Sequence, residues 1–366
     1  MRRIKKGSAI LLAAALVFSA LALPKAYAAN GVVTDANCSV IVNVTNNVPN
    51  TELTELKSKG VKVNLYKVAD INVSGNYIAL NSVKDAVVTE KEGEASAFPG
   101  EEDKSFGTLL SKVSSKTNAA QWEKLAEVAK GAVTAADITA TGTTSNGSVK
   151  ISIEKSETNS NPTGLYLVDA ETLKTTNYTY SFKPYLISLP NNYYDEKVTT
   201  SSDEWIYENV AIGLKPEKNH RLGNLKINKA LDEYNETLGG ATFVFQVEAT
   251  KLDVDASTSE PAEVVYSNVV ALTYTGPGTQ SVVIEDIPAG ADVTITEIYA
   301  GASYQLKAGA VNPQTTKITA DNTVEVTFEN TNNDGLNGGS SIVNAFSYGS
   351  NGWTCSQIPS IDASQE

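Results

Sequence analysis

Asn224-Leu225-Lys226-Ile227-Asn228-Lys229-Ala230-Leu231 alternates polar and apolar side chains until Lys229, which takes an apolar position. Side chains two apart on a strand share a face, so Leu225 and Ile227 point to a core and Lys229 follows them. The same slip recurs twice. Val293 and Ile295 are followed in parity by Glu297, and Val324, Val326 and Phe328 by Asn330. Three polar residues therefore fall on the apolar faces of three strands. A buried charge without a partner is costly, so these side chains should find one another or reach the rim. The alternative is that each merely ends its strand, where parity lapses and the side chain is wet.

The chemistry of a buried trio differs from that of three wet strand ends. A Lys amine is a nucleophile only when neutral, and burial lowers its pKa. A Glu in the same place is pushed toward protonation and can act as a general acid toward an amide oxygen. An Asn amide beside them is an electrophile that can lose ammonia, and fixed proximity replaces chemical activation. The product would be a Lys229–Asn330 isopeptide bond with Glu297 as internal catalyst.

The neighbouring text reads as β throughout. Strands are expected at Asn224–Leu231, Ala241–Glu248, Val264–Tyr274, Gln280–Ile284, Asp292–Glu297, Tyr304–Ala308 and Thr323–Asn330. Seven short strands in residues 220–332 fit an immunoglobulin-like sandwich. Upstream, 29–219 gives a second domain, also expected to be an immunoglobulin-like β-sandwich, with strands at Ser39–Val44, Val61–Leu65, Ser148–Ile153, Gly164–Val168 and Tyr178–Leu189. Within it, Phe106–Val133 carries Leu109, Leu110, Val113, Trp122, Leu125, Val128 and Ala129 at helical spacing, a helical insertion with Trp122 as its core anchor. Lys215–Arg221 is charged and turn-rich and reads as a linker, with His220 solvated. Residues 333–366 are rich in Gly, Ser and Asn, without periodicity, and read as a polar tail on which Ile342, Val343, Phe346 and Trp353 could dock.

Composition narrows the function. The 366 residues carry 29 Lys+Arg against 42 Asp+Glu, a net charge of −13, which argues against nucleic-acid binding. One His and two Cys leave little for metal sites, His-based triads or a disulfide-dense scaffold, and no cofactor is expected. Residues 1–28 combine Arg2, Arg3, Lys5 and Lys6, an apolar run from Ala9 to Leu23, and Ala26-Tyr27-Ala28, the pattern of a cleaved secretory signal. Its removal, Lys25 included, would take the chain from −13 to −18. Cys38 and Cys355 lie far apart in the chain, and the sequence leaves open whether they pair or stay free.

Residues 225–330 carry a family resemblance. Leu225–Lys229, Gly240-Ala241-Thr242-Phe243, Ile287-Pro288-Ala289-Gly290, Val293–Glu297 and Phe328-Glu329-Asn330 resemble a Cna-B-type domain of Gram-positive pilins and surface adhesins. Glu297–Tyr304 is similar to the family's E-box, with Gly301 where Pro is usual and Ser303 where Gly is usual. The resemblance implies the sandwich fold and the roles of Lys229, Asn330 and Glu297.

Gly60–Val68, Gly164–Val168 and Pro184–Pro190 likewise resemble the first domain of sortase-assembled backbone pilins. The first strand there has no Lys; Lys67 shares parity with Val61, Val63 and Leu65, but no matching Asn is evident. Trp205–Pro216 resembles the pilin motif, which implies Lys215 as the amine that sortase joins to the next subunit. In this sequence the Trp lies one residue further upstream than is usual and Pro216 follows the Lys instead of preceding it. Val210, Ile212 and Leu214 share parity, which sets Lys215 on the opposite face, toward solvent, with pairing expected to end at Pro216. The sequence ends in Ile358–Glu366 without an LPxTG-like signal, so anchoring by that route is not expected of it. The reading is an all-β, exported, non-enzymatic pilus subunit whose partners are other pilin subunits and sortase. A wall-associated adhesin binding a host or matrix ligand is the alternative, and a soluble enzyme the weakest reading.

Overall fold

The computed structural model describes residues 31–44, 53–89, 93, 95–114, 116–191, 205–236, 239–252, 262–301, 303–333, 343–350 and 352–358. The signal-like residues 1–28 and Ile342 lie outside them. The chain divides into two compact units, one within Met1–Thr175 and Tyr180–Lys218, the other within Thr176–Thr179 and Asn219–Glu366.

In the first unit Lys62–Ile71 is the central strand of a five-stranded sheet. It pairs antiparallel with Tyr77–Ala79, Ile138–Thr143 and Gly164–Ala170, and the last of these pairs with Tyr185–Leu189. A second, three-stranded sheet sets Cys38–Asn43 between Ser148–Ile153, antiparallel, and Val210–Gly213, parallel. The expected run Tyr178–Leu189 is two strands, Tyr178–Phe182 and Tyr185–Leu189. The helical periodicity resolves into Phe106–Ser111 and Ala119–Ala132. Ser105 caps the first by accepting the Thr108 N–H, and Asn118 forms a capping box with Gln121 on the second. These caps satisfy helix-end donors while Phe106, Leu109, Leu110, Trp122, Leu125, Ala126 and Ala129 face the core.

The second unit is a β-sandwich. One sheet runs in the order Gly278–Pro288, Leu222–Leu231, Thr323–Asn332, Tyr304–Leu306; the other runs Glu263–Tyr274, Ala241–Lys251, Asp292–Tyr299, Gln314–Lys317. Burial alternates without a break along Gly223–Leu231 and Ala241–Lys251, as a half-buried strand requires. Leu225, Ile227, Phe243, Phe245, Val247, Ile295 and Phe328 fill the space between the sheets, with the Phe245 and Phe328 rings 5.0 Å apart. Gly223 is required where Leu222–Leu231 bulges, because a Cβ there would lie 2.2 Å from the Thr319 carbonyl oxygen.

Three expectations need correction. An eighth strand, Gln314–Lys317, was not foreseen; its sequence Gln-Thr-Thr-Lys is polar on both faces because it is an edge. The tail is not featureless: Val343–Gly349 and Gly352–Ile358 form an antiparallel hairpin, Gln246 donates to the Trp353 carbonyl and the Trp353 ring packs on Tyr348. Lys215–Arg221 is not an irregular linker, since Pro216–His220 is a strand; a proline can begin a strand, where its missing N–H costs no ladder bond. His220 is exposed but engaged, its Nδ1 3.2 Å from Lys251 Nζ and its ring 4.9 Å from Tyr178. Cys38 and Cys355 are both free thiols, and burial pushes Cys38 up to about 12.

Candidate functional site

Lys229, Glu297 and Asn330 meet inside the sandwich of the second unit. Lys229 and Asn330 are 0% exposed and Glu297 is 7% exposed. Lys229 and Asn330 come from adjacent strands of one sheet, Glu297 from the facing sheet. The strand parity that marked them holds as far as the three positions themselves, so all three stay on the inner faces instead of turning to water.

Glu297 bridges the other two. Its Oε1 lies 3.6 Å from Lys229 Nζ, and its Oε2 accepts from Asn330 Nδ2 at 3.0 Å. Lys229 Nζ also donates to the Ala230 carbonyl at 3.2 Å. Two buried oxygens, Glu297 Oε1 and Asn330 Oδ1, have no hydrogen-bond partner. A fully satisfied structural network would not leave them so.

Burial sets the protonation states. It lowers Lys229 to about 8, against the opposing pull of Glu297, Asp232 and Glu329. Burial likewise raises Glu297, with Lys229 and Asn330 opposing. The dry site thus favours the neutral amine with the neutral acid more than water does. An uncharged amine and a carboxamide flanking a protonated carboxyl, 3.6 Å and 3.0 Å from it, are the ingredients of amide exchange.

Two further side chains shape this site, and sequence reading had not singled either out for it. The Phe243 ring lies 4.3 Å from Lys229 Nζ and excludes water from it, while itself packing edge-on against Tyr274 and tilted against Tyr304, both at 5.5 Å. The Tyr274 hydroxyl donates to the Lys229 carbonyl and accepts the Gln280 N–H at 2.9 Å, fixing the backbone that carries the nucleophile. Both lie on the inward parity of their strands. That marks them as core, but nothing local says that a charged group lies across from them.

The first unit holds the other candidates. Val210, Ile212 and Leu214 are buried as parity requires. Lys215 is half-buried instead of standing on an open rim. Its Nζ is 5.9 Å from the Tyr185 ring, and burial lowers its pKa, with Glu123 opposing and Lys183 adding to the shift. The Tyr185 hydroxyl donates to the Gly213 carbonyl, two residues before the lysine. Trp205 packs against the helical core of the same unit. Lys67 pairs with Asp70 at 2.6 Å and donates to the Asn161 carbonyl. Among the described residues no group of His, Cys, Asp and Glu could hold a metal ion, and no helix is long and apolar enough to cross a membrane.

Residues 225–333, which contain the whole trio, match a family described as a domain of unknown function, DUF5979. No curated protein matches the chain. Among solved structures it is similar to the minor pilin of Streptococcus agalactiae, at 15% identity over 83% of this chain and 100% of that one, with a TM-score of 0.23. It is also similar to a streptococcal ancillary pilin, at 11% identity over 89% and 87% with a TM-score of 0.24, and to a shaft pilin of Lactobacillus rhamnosus GG, at 13% identity over 82% and 100% with a TM-score of 0.23. These neighbours are Gram-positive pilins. What the site of this chain can do follows from its own side chains.

Proposed function

We propose that this chain is a structural subunit of a Gram-positive surface pilus whose second unit, a Cna-B-type domain, is locked by an isopeptide bond between Lys229 and Asn330. The observation that carries the crosslink is the burial of Lys229, Glu297 and Asn330 in one dry contact, with the amine lowered to about 8 and two polar oxygens left without partners. The pilus role rests on the sequence resemblance of both domains. The domain plan that goes with it is a secretory signal at 1–28, a pilin-like domain at 29–219, the crosslinked domain at 220–332 and a C-terminal segment at 333–366.

The chemistry balances without a cofactor. Proton transfer within the ion pair leaves Lys229 as a neutral amine and Glu297 as a carboxylic acid. A half-turn of the Asn330 amide brings Oδ1 to where Nδ2 stands, 3.0 Å from Glu297 Oε2, so that the acid donates to the carbonyl oxygen. The amine then adds to Cγ as Glu297 protonates the carbonyl oxygen; the resulting carboxylate carries the excess proton from the attacking nitrogen to the departing one, ammonia leaves, and the proton lent to the oxygen returns to Glu297 as the carbonyl re-forms. One C–N bond forms, one breaks, and Glu297 ends as the acid, holding the proton it took from the Lys229 ammonium. Each chain performs the reaction once on itself, so the protein is not an enzyme with turnover.

For assembly, Lys215 is the amine offered to sortase, with other pilin subunits as partners on the cell surface. The test of the crosslink is intact-mass measurement of purified protein. The expected mass is one ammonia below the sequence mass, with Lys229 and Asn330 joined in the peptide map; full mass in the wild type would overturn the reading.

A further inference from the structure

We propose that Asn312 is a positioning residue for the crosslink: its side-chain amide substitutes for a peptide group and pins the backbone of Glu297. The inference rests on the crosslinking reading above and adds to it a residue outside the reacting trio.

Glu297 occupies a weak place in its sheet. On one side, Asp292–Tyr299 pairs with Gln314–Lys317, and the last ladder pair is Ile295 with Gln314. Continuing that register by two residues sets Glu297 opposite Asn312, beyond the end of the strand, and Pro313 between them has no N–H to offer. On the other side, Glu297 pairs with Phe245, but the register slips at once, since Val244 pairs with Tyr299 and Ile298 is left over as a bulge. The catalytic carboxyl thus hangs from a residue where one ladder stops and the other shifts.

Asn312 closes the gap. The Glu297 N–H donates to Asn312 Oδ1 at 2.9 Å, and Asn312 Nδ2 donates to the Glu297 carbonyl at 2.9 Å. These are the two bonds that a directly opposed antiparallel residue would exchange, made here by a side chain. A carboxamide carries one donor and one acceptor in the geometry of a peptide, which an aliphatic or hydroxyl side chain does not. Asn312 touches none of the reacting atoms. Its effect is on where Glu297 Oε1 and Oε2 lie, 3.6 Å and 3.0 Å from Lys229 and Asn330, and a misplacement of about 1 Å is enough to slow such a step heavily.

Two readouts on the full chain test this. Amide hydrogen exchange at Glu297 reports the clamp whether or not the crosslink forms: protection is expected in the wild type and at least a hundredfold faster exchange in Asn312→Ala. Intact mass against time, over a range of pH, reports the reaction: Asn312→Ala should emerge incompletely crosslinked, finish at least tenfold more slowly, and show a shifted pH profile. Val293→Ala, on the same strand and remote from the clamp, should lower the melting temperature yet keep the wild-type profile. Asn312→Asp keeps the acceptor, loses the donor and should give an intermediate rate should Asn312→Ala not fold. An unprotected Glu297 N–H in the wild type, or an Asn312→Ala protein crosslinked as fast as wild type, overturns the inference. So does Val293→Ala shifting the profile equally. A wild type at full sequence mass sinks the crosslinking reading instead, while exchange at Glu297 still decides the clamp.

Discussion

Lys229 and Asn330 share the inner face of two adjacent parallel strands, Lys229 beside Phe328 and Asn330 beside Leu231. Both ends of the proposed bond therefore belong to one sheet, while Glu297 reaches them from the other. Catalyst and product are separable by mutation, which gives the predictions a clean handle.

Glu297→Ala keeps both ends of the bond and removes the acid. It is expected at full sequence mass. The bond closes a loop of 101 residues (330 − 229), so its absence costs about 5 kcal/mol in the chain-entropy picture and roughly 20 °C or more in melting temperature for a domain of this size. Scanning calorimetry beside mass spectrometry checks both. A variant that is one ammonia light would exclude Glu297 as the catalyst.

Asn330→Ala cannot crosslink but retains Lys229 and Glu297. Lys229 titrates at about 8 in the folded protein and near 10.5 once unfolded. Between those values the unfolded chain holds the proton and the folded one does not, so stability should rise as pH climbs from about 8 to about 10.5. In the crosslinked wild type that nitrogen is an amide and the rise is absent. Urea midpoints across this window compare the two proteins, and parallel curves would count against a titrating buried lysine.

Phe243→Ala opens the wall over Lys229. Loss of a buried aromatic costs about 3–5 kcal/mol, and entry of water returns Lys229 toward its ordinary pKa. The expected result is a folded, less stable protein with a mixture of crosslinked and uncrosslinked mass at neutral pH. Phe243→Leu, which keeps the site drier, should crosslink more completely.

Lys215→Ala should abolish conjugation when the protein is offered to a cognate sortase with a sorting-signal donor, and Lys218→Ala should leave it intact. The branched peptide identified by mass spectrometry decides. A branch at Lys218 would move the acceptor to the strand Pro216–His220.

Strict period-two alternation made the second unit readable. Along Leu222–Leu231, Asp292–Tyr299 and Thr323–Asn332 every second residue is apolar for several steps, so one polar residue in that phase stands out, and Lys229, Glu297 and Asn330 are legible from the sequence for that reason. Where alternation is lost, reading failed. Gln314–Lys317 is an edge with no buried stripe, and the hairpin Val343–Ile358 is built of Asn, Ser, Thr and Gly with its aromatics turned partly outward, Tyr348 being 67% exposed. Contacts across the sandwich were also out of reach. Nothing near Phe243 shows that its ring covers an amine. Nothing near Asn312 shows that its side chain takes the part of a backbone, because that depends on where a partner strand ends. Lys215 shows a third limit: its parity was right, but its burial against Tyr185 comes from a different strand.

The parallel pairing of Leu222–Leu231 with Thr323–Asn332 has a mechanical meaning. A pull applied at the entry of the first strand and the exit of the last would slide two parallel strands past each other, loading all their hydrogen bonds at once instead of peeling them singly. With Lys229 joined to Asn330, the load path shortens to eight residues of one strand, a covalent bridge and the last few residues of the other. Everything from Ala230 to Glu329 then hangs beside the line of force, a side loop that could unfold after the bond has formed without parting the rope.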